Sequence, residues 1–407
     1  MKTIYFCVTY LCLFLISCNK QPNLYSSDYD VDIIRSQNKE FEPLQELSIF
    51  ENIKIIPLET TNDNLIGNIK EIKIKDSLIF ISDANENLFV FNTEGQFLNK
   101  IGSIGDGPEE YSALGTFFID EVNNQIIIMN QIKFTFITYG FDGQYKFKTT
   151  IPKDAINMPN TAFIIENNYL LANYFLTPKN NIAYKLLSLK NAGILQEKNY
   201  NSITVSDHLF AFSRHPVTST EKGADFIMPL CDTIFNCYNK EFKPKYKIEH
   251  FQSMAPSDKY QANINKTIYS LDYEFGQADY FTGFKDLFET KKHILLNYNA
   301  FGYQSAYFIA NKERLTGNYF LHTGIENANE FVAPAIEDTI TKMPFFKINT
   351  TDGRSFISLI QPFYLLLYKD KFKESTDENL SNLKKITDIL LEEDNPVLIF
   401  YTLKDDF

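Results

Sequence analysis

The sequence has no tryptophan, only five cysteines and five histidines, and 16 glycines in 407 residues. So thin a glycine supply excludes collagen-like and glycine-rich chains, and no tract of biased composition interrupts the sequence. Beyond residues 4–16 there is no long apolar run, so nothing further along reads as a membrane-spanning helix. Basic residues are outnumbered, 39 to 51, and the formal charge of -12 leaves no positive footprint for phosphate backbones. No nucleic-acid partner is expected. Aromatics are abundant instead, with 37 Phe and 24 Tyr, an enrichment that favours strands over helices.

The N-terminus carries addressing information. Lys2 precedes "IYFCVTYLCLFLI", thirteen apolar residues too short to cross a bilayer as a helix, which reads as the core of a signal peptide. It closes on "LISC", residues 15–18, which resembles a bacterial lipobox: Cys18 is the expected lipid-attachment site and first residue of the mature chain. Residues 1–17 are thus expected to be a signal peptide and residues 18–45 a lipid-anchored tether, beginning "NKQPNLYSSDYD", polar and unpatterned. "NKQPN" lacks an acidic cluster, which points to an outer-membrane anchor facing the periplasm. After export, Cys231 and Cys237 remain in the folded part. They lie six steps apart in the strand-like "LCDTIFNCY", ~20 Å along one strand, whereas a disulfide needs Cα atoms within about 7 Å. Two buried thiols are expected.

From residue 46 onward short strand patterns recur. "IKEIKIKD", "SLIFISD", "NLFVFNTEG" and "QFLNKIG" form one set of four, and "TFFIDEV", "NQIIIMN", "FTFITYGFDG" and "QYKFKTTIP" a second. Aligning "FNTEGQF" with "GFDGQYKF" sets Gly95 on Gly143, a step of 48 residues, and Gly193 follows fifty later; in "NCYNKEFKPKY" Lys240 and Glu241 stand where the turn glycine was. A four-strand unit repeating every 45 to 50 residues is the signature of propeller blades, whose two apolar faces only neighbouring blades can cover. "HILLNYNAFGYQSAYFIANKERLTGNYFLHTG" reads as a fifth blade and "FFKINTTDGRSFISLIQPFYLLLY" as a sixth. Residues 253–288 break the rhythm and read as a helical insertion. Length alone would permit seven blades; subtracting the insertion leaves six. Near the end, Ser375, Thr376 or Asp377 offers an N-cap to a helix over about 377–391, with Leu380, Leu383, Ile386 and Leu390 at helical spacing and Asn395 and Pro396 as its stop. A strand over about 397–403 then docks onto the sheets. The expected fold is all-β: a six-bladed β-propeller of four-stranded antiparallel blades over residues 46–407, with a helical insertion and a short C-terminal helix.

These residues resemble the six-bladed, NHL-like β-propeller lipoproteins of Bacteroidota, through "IIPLETTNDNLIGNIKEIKI", "LFVFNTEGQFLNKIGSIGDGPEEY", "CDTIFNC", "FKDLFET" and "EEDNPVLIFYTLK". The resemblance implies fold and export, and little about activity. Where the family's glycine segment has a glycine before Glu-Tyr, this chain has Glu109, which lets less backbone approach a ligand.

That segment, "KIGSIGDGPEEYSALG", is the candidate binding loop. The spacing of Gly102, Gly105 and Gly107 is not a dinucleotide fingerprint, and the loop lacks the Lys and hydroxyl of a P-loop and the alternating carboxylates of a calcium loop. It falls between blades, where Gly105 and Gly107 permit positive φ and Pro108 keeps Gly107 out of the helical region. The segment reads first as a structural interblade crossover; the alternative is a functional loop, because such crossovers lie on the face where ligands bind, and there Glu110 would offer a carboxylate and Tyr111 a stacking ring.

No catalytic residues, metal site or cofactor are expected. His208, His215, His250, His293 and His322 are dispersed; His208 and His215 flank "LFAFSR" and, with Arg214, would sit near a central opening. Asp272, Glu274 and Asp279 are too ordinary in so acidic a chain to mark glycan chemistry. The expected function is a lipid-anchored binding or protein-interaction module at the cell envelope, taking an envelope protein or an oligosaccharide. The alternative is a polysaccharide-active hydrolase or lyase.

Overall fold

The computed structural model describes residues 31–40, 49–130, 132–151, 161–166, 169–174, 181–190, 193–199, 215–228, 231–254, 280–300, 304–321, 326–327, 330–331, 347–374 and 378–407. Cys18 and the candidates His208, Arg214, Asp272, Glu274, Asp279 and His322 lie outside them, as do residues 255–279 of the expected insertion.

Strands run consecutively into antiparallel four-stranded meanders. The first comprises Ile69–Lys75, Leu78–Asp83, Leu88–Asn92 and Phe97–Lys100; the second Leu114–Asp120, Gln125–Asn130, Thr135–Gly140 and Tyr145–Thr150; the third Thr161–Ile165, Tyr169–Asn173, Ile182–Ser188 and Ile194–Asn199. The fourth is built from Val217–Ser219, Ala224–Ile227, Thr233–Tyr238 and Glu241–Ile248, and the fifth from Asp286–Glu289, His293–Ala300, Gln304–Asn311 and Thr316–Leu321. A closing sheet takes Ile348–Thr351, Phe356–Ile360 and Val397–Leu403 from the C-terminal part and Phe50–Pro57 from the N-terminal part.

In each meander the first strand is innermost. The inner strand of the second meander lies against that of the third, the third against the fourth, the fourth against the fifth, the fifth against the closing sheet, and the closing sheet against the first. Lys73 Nζ, hydrogen-bonded to the carbonyl of Phe117, spans the remaining gap between the first and second. The sheets therefore close a ring, the architecture of a β-propeller, and the apolar cores lie between sheets. Ile72, Ile79 and Phe89 of the first meander pack on Ile56, Leu398 and Phe400 of the closing sheet, and Phe80, Leu88 and Val90 pack on Phe117, Ile126 and Ile137 of the second. This explains the sequence texture. Middle strands such as "LIFISD" are covered on both faces and read as continuous apolar runs, while the outermost "FLNK" alternates.

The turn glycines obey the repeat. Gly95 and Gly143 adopt φ +87° and +82°, and a Cβ on either would strike the backbone of the preceding sheet, at Pro57 and Lys100 respectively. Asn239 and Lys240, at φ 50° and 63°, make the equivalent turn in the fourth meander. Gly193 stands one step later than the alignment set it: its carbonyl accepts the Ser188 N–H, the part Gln96 and Gln144 play for Asn92 and Gly140.

Several expectations need correction. The stretch 18–45, read as tether, contains the strand Asp32–Ser36, which pairs in parallel with the outer strands of both the fourth and fifth meanders and joins them into one nine-stranded sheet. Ile34 is its single fully buried side chain, and Asn38 extends the attachment by bonding both the N–H and the carbonyl of Tyr319. The insertion ends before residue 288, because Asp286–Glu289 is the inner strand of the fifth meander. "QPFYLLLY" is not strand: Pro362, with φ already set, starts the helix Pro362–Leu366, and Lys369–Glu374 is helical too. A longer helix, Glu378–Ile389, follows and buries Leu383 against the closing sheet, with Ile386 half-buried beside it. The final strand Val397–Leu403 does dock into the sheets as expected, between Phe356–Ile360 and the edge strand Phe50–Pro57.

Candidate functional site

The glycine segment connects the outermost strand of the first meander, Phe97–Lys100, to the innermost strand of the second, Leu114–Asp120. It is held by its own backbone: Gly105 N–H donates to the Tyr111 carbonyl at 2.9 Å, Tyr111 N–H to Ser103 at 3.1 Å, and Glu110 N–H to Gly107 at 3.2 Å. Gly102, not Gly105 or Gly107, takes the left-handed conformation, φ +62°, and a Cβ there would lie 2.7 Å from the Tyr139 ring. Gly105 and Gly107 serve a different need. The Glu110 carboxylate folds back over them and accepts the Gly107 N–H at 2.8 Å, and a Cβ on Gly105 would sit 1.9 Å from Glu110 Oε2.

This changes the roles expected of two candidates. Glu110 is engaged within the loop. Tyr111 is only 1 % exposed, so its ring is not available for stacking; it packs among Phe80, Val90 and Ile137 and donates its hydroxyl proton to the Glu86 carbonyl at 2.9 Å. Burial raises its pKa far out of the physiological range, so it remains a neutral donor. Glu86 completes the seam: its carboxylate accepts the Leu114 N–H and pairs with Lys70.

The loop nevertheless frames a cavity of about 330 Å³. Gly102, Ser103, Gly107, Pro108, Glu109 and Glu110 form one wall; Tyr139, Gly143 and Tyr145 of the second meander form the other. Ser103, Pro108 and Glu109 are exposed and Tyr145 is half-buried. The Tyr139 hydroxyl donates to the Glu109 carbonyl at 2.6 Å, fixing the loop against this wall, and its ring meets that of Tyr145 edge-on at 6.2 Å. Burial and then the neighbouring Tyr145 push the Tyr139 hydroxyl well above its ordinary value, so it stays protonated. The cavity thus presents a hydroxyl, a carboxylate and an aromatic ring in a small acidic notch, donors and acceptors suited to a neutral polar ligand. Tyr139, Gly143 and Tyr145 were not anticipated as lining residues. The available signal was their place in the repeat, beside a hairpin whose glycine abuts the end of the preceding sheet.

The described histidines are dispersed. His215 lies beside Phe288, ring centroids 5.1 Å apart. His250 is stacked on Phe281 at 4.1 Å and edged by Tyr319 and Tyr298; burial pushes it down to about 3 and keeps it neutral. Burial likewise lowers His293. Among the described residues no group of three or more His, Cys, Asp or Glu could hold a metal ion. Cys231 and Cys237 are buried and not joined in a disulfide, and burial pushes Cys237 up to about 12.

The family described as "Domain of unknown function (DUF4934)" matches residues 29–402. No curated protein matches the chain. Among solved structures, a protein of Bacteroides fragilis NCTC 9343 described as exported superimposes with a TM-score of 0.71 at 20 % identity, over 91 % of this chain and 99 % of that one. Two looser superpositions are a member of the DUF4221 family from Bacteroides vulgatus ATCC 8482, with a TM-score of 0.46, 9 % identity and coverage of 88 % and 97 %, and the RRP9 WD40 repeats, with 0.44, 9 %, 88 % and 99 %.

Proposed function

Starting from a chain that belongs to the DUF4934 family, we propose that this protein is an exported, lipid-anchored, six-bladed NHL-like β-propeller that acts as a binding or protein-interaction module at the cell envelope. Its ligand is an envelope protein or an oligosaccharide, taken at the notch between the glycine loop and Tyr145. The observation that carries this reading is the cavity of about 330 Å³, whose loop wall is rigid through its own hydrogen bonds while Ser103, Pro108 and Glu109 remain exposed at its rim. A wall ordered before a ligand arrives lowers the entropic cost of binding. Export is supported by the charged and apolar start of the chain and by the similarity to an exported Bacteroides protein. The "LISC" stretch supports anchoring through Cys18 in the outer membrane, facing the periplasm. The six-bladed count rests on the first to fifth meanders and the closing sheet, with the fourth and fifth taken as separate blades joined by the strand Asp32–Ser36.

The test is capture of the tagged, anchored protein from detergent-solubilised outer membranes, with protein and glycan mass spectrometry of what is retained. The expected result is a stoichiometric companion that Tyr145→Ala or Glu109→Ala removes; a companion retained by both variants would move the site elsewhere on the ring. Cys18→Ala should release the protein from the membrane fraction, and continued sedimentation with membranes overturns the anchoring.

A further inference from the structure

The segments "IIPLETTNDNLIGNIKEIKI" and "EEDNPVLIFYTLK" lie far apart in the sequence, and no residue of either lines the notch. In the fold they meet. Residues 58–68 cross from the end of Phe50–Pro57 to the first meander, and residues 390–396 lead into Val397–Leu403, so both sit at the same end of the closing sheet. Asn395, only 2 % exposed, stitches them together. Its Oδ1 accepts the Ile66 N–H at 2.9 Å, its Nδ2 donates to the carbonyls of Glu59 at 2.7 Å and Asn64 at 3.0 Å, and its own N–H donates to Thr60 Oγ1 at 2.8 Å. Leu58 N–H adds a bond to the Pro396 carbonyl at 3.2 Å. Next to this asparagine, Asp394 Oδ2 accepts the Leu391 N–H at 2.8 Å and fixes the second loop.

Loops so fully bonded can hide their aliphatic side chains, yet these turn several outward. Leu65, whose chain neighbours Asn64 and Ile66 are both held by Asn395, is 52 % exposed, and Leu391 is 62 % exposed. Ile389, which ends the helix before the second loop, is 79 % exposed. Exposed leucines scattered singly are ordinary; these share one ordered platform. Around them Asp63, Glu392 and Glu393 are exposed, and none of the three is in an ion pair among the described residues. Of the nearby cations, Lys70 is held by Glu86 at 2.6 Å and Lys369 by Asp388 at 3.8 Å, which leaves Lys384 and Lys385, about a turn before Ile389. The loops themselves carry an apolar centre and a rim of negative charge.

We propose that this platform is a docking surface for a basic segment of another protein, which lays an apolar side chain on Leu65 and Leu391 and sets Lys or Arg against Asp63, Glu392 and Glu393. Charge selects this occupant. A second copy of the chain, with its formal charge of -12, meets the carboxylates with its own. Anionic lipid headgroups are repelled in the same way. A basic segment is steered in by the rim and held by the apolar centre. Because Asn395 fixes both loops before contact, little ordering cost falls on this side of the interface. The surface is separate from the notch and stands without it.

Site-specific photocrosslinking in cells, on the full-length protein, tests this. The photoreactive amino acid p-benzoylphenylalanine replaces Leu65 or Leu391, and Val122 serves as the control position, being 63 % exposed on the hairpin at the opposite end of the second meander from its crossover. The expected result is an adduct with another protein from the first two positions and none from the third, with Lys or Arg beside apolar residues in the crosslinked peptide. Glu392→Lys combined with Glu393→Lys should lower the yield by about tenfold or more, since like charges then face each other. Tyr145→Ala should leave the adduct in place, so failure at the notch and failure here are read separately. Adducts with lipid, with a second copy of this chain or with an acidic peptide overturn the proposal. So do the absence of an adduct from both positions and a yield that the charge reversal does not move. The substituted side chains are all exposed, and a denaturation midpoint equal to wild type confirms that the platform is intact in each variant.

Discussion

Between the first and second meanders the seal is apolar: Phe80 and Val90 face Ile137 and Tyr139, and glycines let the crossover close over them. Between the fourth and fifth an apolar cluster is also present, with Ile234, Leu287 and Phe308, but Asp225, Glu289, Lys245 and Lys312 are set beside it. The first joint is fitted chiefly by shape, with the Glu86 carboxylate and the Lys73 ammonium at its margin. The second adds buried ion pairs, Lys245 with Asp225 and Lys312 with Glu289, and an extra strand. Shape-fitted joints fail when a side chain grows, charge-fitted joints when a partner is removed, and that contrast orders the tests.

The largest effect is expected from Asp225→Ala. It strands Lys245 and the Asn236 amide that Asp225 holds in a buried setting, a change that costs ~3–5 kcal/mol, read by chemical denaturation at pH 7. A loss below about 1 kcal/mol would mean that water already screens the cluster and that the two joints are alike. Gly102→Ala attacks the other joint by addition. With φ at +62° and the Tyr139 ring 2.7 Å from the new methyl, the cost is ~2–4 kcal/mol. Gly353→Ala is its control, since φ is +83° there and nothing lies within 4 Å of a Cβ; only the backbone penalty, ~1 kcal/mol, should appear. Equal losses at the two glycines would remove packing from the explanation.

Tyr111→Phe is subtler. It keeps the ring in its cluster and deletes the hydroxyl that donates to the Glu86 carbonyl, for ~1–2 kcal/mol. Capture of the envelope companion should be unchanged, because Tyr111 positions the loop without reaching the notch. Loss of capture at full stability would return Tyr111 to the binding surface.

The two joints also differed in how far they could be read in advance. The first was visible because every strand of its meanders is local in sequence and its turn glycines recur: Gly95 and Gly143 announced themselves by a step of 48 residues. Elsewhere the ring depends on distant segments. The strand Asp32–Ser36 pairs with residues more than 200 positions away, through one buried side chain, Ile34, and carries too little pattern to stand out from a tether. The closing sheet joins Phe50–Pro57 to Val397–Leu403 in the same way. At the site, sequence indicated a loop that frames the cavity but not how its side chains are placed. Glu110 and Tyr111 looked free because nothing in their spacing reveals that two glycines make room for a carboxylate, or that a crossover folds its tyrosine inward. Tyr145 lies one repeat unit away and becomes a neighbour only when the sheets meet.

The smallest expected effect lies on the outside of the glycine loop. Lys133 pairs with Asp106 at 2.9 Å, but the Asp106 side chain is 91 % exposed, so solvent screens the pair and side-chain entropy opposes it. Lys133→Ala should leave the denaturation midpoint within error of wild type. What should move is Asp106 itself. Its carboxyl is held below the ordinary aspartate value by the hydrogen bond and charge of Lys133, and it should rise toward that value in the variant when followed by NMR titration. A measurable loss of stability would show that the loop's rigidity is imposed from its surface as well as by its glycines, and the apolar joint would then share with its counterpart a dependence on charge.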